Sequence, residues 1–235
     1  MVFPPLEKLT YPERIAREIQ MRILNHELQI GERLPSELEL AGEFEVSRSV
    51  IREAMRILDG LGLIVVKKGP RGGIFVSNVY HKPLSNSLRG LVDSGQVSVD
   101  HIFMVRLLIE PNVAAEAAVH AGDDDVKELR AILQESEKNI DDPVFLSANR
   151  GKFHIYLAKA TGNPVMEMFM HSLIELLREY FYEFKCVEFE QKAIQSHFRI
   201  LEAIQNRQPE KAHQLMKDDI MEIKGLVSTL DKCNL

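Results

Sequence analysis

Arg48 and Arg52 lie one helical turn apart in the run Val46-Ser47-Arg48-Ser49-Val50-Ile51-Arg52-Glu53. Apolar residues at Val50, Ile51, Ala54, Met55, Leu58 and Leu61 keep a helical period through this run, so both guanidinium groups project from one helix together. Such a pair can enter a DNA major groove, where a bidentate arginine-to-guanine contact is the commonest specific base contact. Ser47 and Ser49 open the same helix, where free backbone N–H groups and the positive end of the dipole favour a phosphate. Arg56, a further turn along, drifts round the helix and is expected to meet a phosphate or to pair with Glu53 or Asp59. Lys68, Gly69 and Arg71 fall in a Gly/Pro turn and can reach a minor groove or the flanking backbone. A lone surface arginine is ordinarily a solvated side chain; the shared motif is what singles out Arg48 and Arg52.

The 235 residues carry a net charge of -6, which spread evenly would oppose phosphate binding. The distribution is uneven. Acidic and basic residues balance from Met1 to Val76, and from Arg48 to Arg71 the balance turns positive, with Arg48, Arg52, Arg56, Lys67, Lys68 and Arg71 against Glu53 and Asp59. The length calls for two domains, each able to bury its own core. Cys186 and Cys233 are far apart and neither belongs to a CxxC pair, so neither a disulfide framework nor a zinc finger is expected. No apolar run approaches the ~20 residues of a membrane span, and the start MVFPPLEKLT lacks the plan of a signal peptide. The expected location is the cytoplasm, with no membrane partner.

The elements that must hold these residues can be read from periodicity and caps. A first helix is expected from Glu13 to about Leu28, with Gly31 as its stop. Ser36 caps a second helix reaching Phe44, with Glu39 completing a capping box, and Ser47 caps the third. Leu63 to Lys68 and Ile74 to Val76 flank the turn Gly69-Pro70-Arg71-Gly72-Gly73 as a hairpin. Three helices and a hairpin give a winged helix-turn-helix. A short helix near Leu84 to Val92 follows, then helices near Val99–His120, Asp123–Ile140, Pro143–Thr161, Pro164–Phe184, Glu188–Asn206 and Pro209–Leu230. Asp123, Asp142 and Asn163 are good caps, the last two preceding a proline. The fold class is mainly α, with a DNA-binding domain over 1–78, a linker and short helix over 79–98, and an all-helical bundle domain over 99–235.

The span Gly31-Glu32-Arg33-Leu34-Pro35-Ser36-Glu37, the run Val46 to Ala54 and the glycine-rich wing together resemble the GntR family of bacterial regulators. That resemblance implies DNA contact by Ser36, Ser47, Arg48, Ser49, Arg52, Lys68, Gly69 and Arg71. One position departs from the pattern: where the family usually carries a DNA-contacting arginine this chain has Leu38, so operator preference or affinity should differ.

The remainder resembles the FCD domain, the ligand-binding module of the FadR-like branch, through Arg106 with Glu110, Phe153-His154, Gly162-Asn163-Pro164, and His197 before Ile200 to Ile204. The resemblance implies a divalent metal on an aspartate and three histidines. Here the aspartate's position holds Arg150 and the last histidine's holds Asp219. His154, His197 and Asp219 still form a set of two imidazoles and one carboxylate, sound chemistry for Zn, Ni, Mn or Fe, provided Arg150 swings away from the ion. The rival reading has Arg150 replace the ion, pairing with Asp219 when the site is empty and with an anionic effector when it is filled. Arg106, in an otherwise apolar helix, is either a second anion ligand or an i,i+4 partner of Glu110. Arg106, Arg150 and Asn163 are the expected effector contacts.

The whole is expected to be a homodimeric regulator, not an enzyme, that binds a near-palindromic operator in double-stranded DNA. By the resemblance its effector is a small organic acid or sugar acid, and the outcome repression relieved by it. A fatty acyl-CoA sensor with a long apolar tunnel is the alternative; a metal-dependent enzyme on the histidine and carboxylate set leaves the DNA motif unexplained.

Overall fold

The computed structural model describes residues 9–70, 72–149, 151–180 and 187–230. Arg71 and Arg150 therefore lie outside the described residues. The chain divides into two compact units, one through Pro83 and one from Leu84.

The first unit is built from α1 (Tyr11–Leu24), α2 (Glu37–Glu43), α3 (Arg48–Gly60), β1 (Ile64–Lys67) and β2 (Gly73–Val76). α1 and α3 pack on each other through Ile15, Ile19 and Ile23 on one side and Ile51, Ala54 and Leu58 on the other, all buried. That burial of one apolar stripe per helix is what holds α3 with its arginines outward. α2 starts as its sequence requires: Ser36 N–H donates to Glu39 Oε2 at 2.7 Å, and Glu39 N–H donates back to Ser36 Oγ at 3.3 Å. α1 is shorter than its periodicity suggests, ending at Leu24 in a turn through His26 (φ +60) before the stop at Gly31.

β1 and β2 pair antiparallel, Ile64 opposite Val76 and Lys67 opposite Gly73. Sequence periodicity missed a third member. The segment before α2 lies along β2, with Gly31 N–H on the Val76 carbonyl at 2.9 Å, Val76 N–H on the Glu32 carbonyl at 2.8 Å and Leu34 N–H on the Ile74 carbonyl at 2.8 Å. It is too short and too polar to show strand alternation. The wing is thus tied by backbone hydrogen bonds to the chain that leads into α2.

α4 (Lys82–Asp93) leads into the helices of the second unit: α5 (Val99–His120), α6 (Asp123–Lys138), α7 (Pro143–Asn149), α8 (Lys152–Lys159), α9 (Pro164–Tyr180), α10 (Val187–Gln205) and α11 (Pro209–Leu230). α5 is the central element, packed against α8, α9, α10 and α11. Phe103, Leu129, Leu133, Leu157, Met170, Ile200, Leu201, Ile204 and Met216 fill the core between them. Arg207 donates from one nitrogen to the carbonyls of Ala118 and Val119, occupying acceptors that the end of α5 leaves open. Asp142 Oδ1 and Asn163 Oδ1 accept first-turn N–H groups of α7 and α9.

The helix expected over Pro143–Thr161 is two helices. The break falls before α8 at Gly151, whose φ is +88 and where a Cβ would come within 2.3 Å of Ile174 Cγ2. Only glycine combines that conformation with so close a neighbour. The consequence is that α8, which carries His154, sets off in a direction of its own. No helix among the described residues is long and apolar enough to cross a membrane.

Candidate functional site

Two clusters of chemistry stand out, one in each unit. In the first, Ser47 is the N-cap of α3 in extended conformation, and its Oγ lies 2.8 Å from Ser49 Oγ rather than on a backbone N–H of the helix. The amides of Arg48 and Ser49 belong to a first turn that has no intrahelical acceptor for them. Arg48 and Arg52 leave the helix as neighbours, their side chains 58% and 55% exposed, and both approach Glu37 at the start of α2. Arg56 pairs with Glu53 at 3.0 Å, while Asp59 takes Lys82 at 2.7 Å. Lys68 and Gly69 are exposed at the wing turn, and Leu38 is 66% exposed beside Glu37. The partnership of Glu37 with both arginines was missed in the sequence, where its only signal is its place next to the Ser36 cap.

In the second unit α8, α10 and α11 bring His154, His197 and Asp219 together, with one ligand-capable atom from each lying within 4.8 Å of the others. His197 Nε2 is 3.6 Å from Asp219 Oδ2, and the two imidazoles meet edge to face with ring centroids 4.7 Å apart. Phe153 stacks on His197 at 4.4 Å and fixes that ring's plane. Separations of this size suit two nitrogens and an oxygen converging on one ion, each about 2 Å from it after a small closure. The three residues therefore fit a divalent metal.

Beneath them lies a buried pair. Arg106 of α5 donates from Nε to Glu110 Oε1 and from Nη2 to Glu110 Oε2 at 3.1 Å. Arg106 is thus the i,i+4 partner of Glu110, and it also lines the cavity described below. Glu110 Oε2 is at the same time 2.7 Å from His154 Nδ1, although the N–H direction of the ring does not point along the contact. The distance establishes an electrostatic contact, and the angle leaves it short of a good hydrogen bond.

Burial is the largest single influence on each of these groups, and for most of them the neighbouring charges together outweigh it. It penalises charge on Glu110, yet Arg106 and His154 outweigh it and hold the carboxyl well below the usual carboxylate range. Burial likewise opposes charge on Asp219, but His197, then His154 and Arg106, bring its carboxyl down. Burial lowers His154 more than Glu110 raises it, which favours the neutral imidazole a metal requires. Arg106 is held charged, because Glu110 and Asp219 outweigh its desolvation.

Arg106, His154, His197 and Asp219 floor a cavity of about 90 Å³ whose walls include Leu133, Leu146, Ile174, Leu177, Phe189 and Ile223. Asn149, Arg178 and Glu190 also reach it, none of them singled out by the sequence. Among the described lining residues Arg106 and Arg178 stand against Glu190 and Asp219, with Glu110 bonded to Arg106. Asn163 is placed elsewhere, its side chain spent on the first turn of α9, and it is not among the lining residues. Gly151, which sets the start of α8, is part of the cavity wall.

Residues 12–76 match bacterial regulatory proteins of the gntR family, and residues 101–221, just over half of the chain, match the FCD domain. The chain is 28% identical over 234 residues to the HTH-type transcriptional repressor NanR of Salmonella newport, covering 97% of this chain and 89% of that protein. NanR of Salmonella typhimurium is equally similar, at 28% identity over 97% of this chain and 88% of its own. A solved structure, the Streptococcus agalactiae GntR, superposes with a TM-score of 0.67 at 28% identity, over 90% of this chain and 98% of that one. With its winged helix-turn-helix and its helical second unit, the chain belongs to the GntR family of bacterial regulatory proteins, in the branch that carries an FCD domain, and is a ligand-responsive DNA-binding transcriptional regulator.

Proposed function

We propose that this regulator is a repressor which reads its operator with Arg48 and Arg52 and senses a small organic acid or sugar acid in the α5–α8–α10–α11 cavity, on a metal held by His154, His197 and Asp219. The observation that carries the reading is the convergence of those three donors, with Arg106 beside them, on the floor of a cavity whose remaining walls are mostly apolar. When bound, a divalent ion such as Zn, Ni, Mn or Fe supplies a Lewis-acidic centre that coordinates a carboxylate. The chain's own residues do the rest. Arg106 is held in place by Glu110 and offers its remaining donors to an acid. The apolar walls exclude water and so strengthen both interactions.

At about 90 Å³ the cavity favours the smaller acids. An acyl-CoA would require a pocket at or above the roughly 300–1,000 Å³ typical of drug-sized ligands. The cluster is assigned to sensing rather than turnover, since an enzyme leaves the winged helix without a purpose. Acid binding shifts the population of the DNA-competent state by its differential affinity for the two states.

On the DNA side, Ser36, Ser47 and Ser49 with the first-turn amides of α2 and α3 take phosphates, and Lys68, Gly69 and Arg71 in the wing contact the adjacent groove or backbone. A homodimer on a near-palindromic operator is the fitting assembly, because one such unit reads one half-site.

The test is elemental analysis of the purified protein with a thermal-shift panel of mono- and dicarboxylic acids and sugar acids, run before and after chelation. Metal carried by the native chain, lost in His154→Ala together with the acid-induced shift, is the expected result. An acid response that survives chelation in full would sink the metal-borne reading.

A further inference from the structure

Arg48 and Arg52 share one carboxylate. Glu37, the first residue of α2, accepts from Arg52 Nη2 at 3.1 Å and from Arg52 Nε at 3.4 Å, and lies 3.7 Å from Arg48 Nη2, all at a single oxygen, Oε2. The glutamate side chain is 29% exposed while both arginines are more than half exposed. An exposed ion pair contributes little to stability, so the fold has small need of this contact. The contact nonetheless joins the two helices of the helix-turn-helix at the residues assigned to base reading.

We infer that Glu37 is a specificity-determining positioning residue, which stays bonded to Arg52 in the DNA complex and aims that guanidinium at guanine. The argument is geometric. A guanidinium has five N–H donors in a rigid plane. With Nε and one Nη2 hydrogen turned to Glu37, the free edge is the one bearing parallel N–H groups on Nη1 and Nη2. Two parallel donors are what guanine O6 and N7 accept. A long side chain already held in one orientation loses less freedom on binding.

The charge has a second effect. A carboxylate placed between two arginines cancels part of their attraction for phosphate, which is the same at every sequence. Glu37 therefore weakens binding to arbitrary DNA while sharpening binding to the right base. Discrimination, the ratio of the two affinities, gains from the aiming of Arg52, while the charge effect lowers both affinities alike.

This inference rests on the assignment of Arg48 and Arg52 as readers, and the experiment separates the two. A duplex selected by the wild-type protein from a pool with a randomised centre, and a scrambled duplex of the same composition, serve as probes. In Glu37→Gln the selected-to-scrambled affinity ratio is expected to fall about tenfold, the cost of roughly one misread base pair, with scrambled-duplex affinity equal or higher. Glu37→Asp keeps the charge but shortens the reach, and it should lose discrimination too. In an Arg52→Ala background Glu37→Gln should change the ratio no further, and thermal melting verifies that each variant is folded. An unchanged ratio in either Glu37 variant, with Arg52→Ala still losing the selected duplex, overturns the inference alone; an Arg52→Ala protein that keeps full discrimination overturns the reader assignment and the inference with it.

Discussion

Glu110 is the residue on which the sensor cluster balances, being 1% exposed and touching both Arg106 and His154. Removing one member of a buried ion pair leaves the other charge desolvated and uncompensated, which typically costs about 3–5 kcal/mol. Glu110→Gln should therefore destabilise the second unit by about that much in urea unfolding. It should cost far more than Arg178→Ala, whose side chain is exposed at the cavity rim. Equal, small effects from the two would show that the Arg106–Glu110 pair is not a structural necessity. His154, His197 and Asp219 could be picked out of the sequence because the resemblance to the FCD domain marks their positions. The contact from Glu110 to His154 could not, since it joins α5 to α8 and depends on how those helices cross. Arg106 shows the limit from the other side: its spacing to Glu110 allowed an ion pair and its apolar surroundings an anion site, and only the packing shows that the pair forms at the edge of the cavity.

At the scale of elements, local chemistry was legible wherever a cap or a period spoke for itself. The Ser36–Glu39 box starts α2 where its residues demand, and α5 and α11 span the residues their periodicity marks out. Ser36→Ala should cost about 1 kcal/mol, as for other N-caps. Its cost should also depend on pH. Hydrogen bonds from the Ser36 backbone and then its side chain hold the Glu39 carboxyl below its ordinary 4.5. A carboxyl lowered on folding stabilises the native state above the unfolded value and loses that contribution as pH falls through the folded one. The wild-type advantage over Ser36→Ala should therefore be full near neutrality and shrink below about pH 4.5. A constant difference down to the acid transition would count against the reciprocal box. The break at Gly151 and the backbone pairing of residues 31–34 with β2 escaped the sequence for a common reason: each is imposed by a distant neighbour, Ile174 in one case and β2 in the other.

For the whole molecule the open question is assembly. One face of α5 turns Met104, Val105 and Leu108 outward, exposed by 62%, 42% and 67%. A contiguous exposed apolar stripe of this kind can seat a second copy, as the proposed homodimer requires. Met104→Glu with Leu108→Glu should shift sedimentation from dimer to monomer and weaken binding to a two-half-site duplex more than to a single half-site. A double variant that sediments as the wild type would place the contact elsewhere. The expectation of two domains came from the length of the chain, with the first ending at 78, and the compact units divide between Pro83 and Leu84. Which helix faces lie exposed among the described residues needed the packing. The pairing of residues 31–34 with β2 has a consequence in time as well as in space. A two-stranded hairpin is marginal alone, so a wing held only by its own turn would open often. Here the Gly31, Leu34 and Val76 amides are bonded between β2 and the segment before α2, above a core that includes Ile64 and Ile74. Those hydrogens should exchange with solvent more slowly than amides of the wing turn, which would give the wing a lifetime closer to that of the core beneath it.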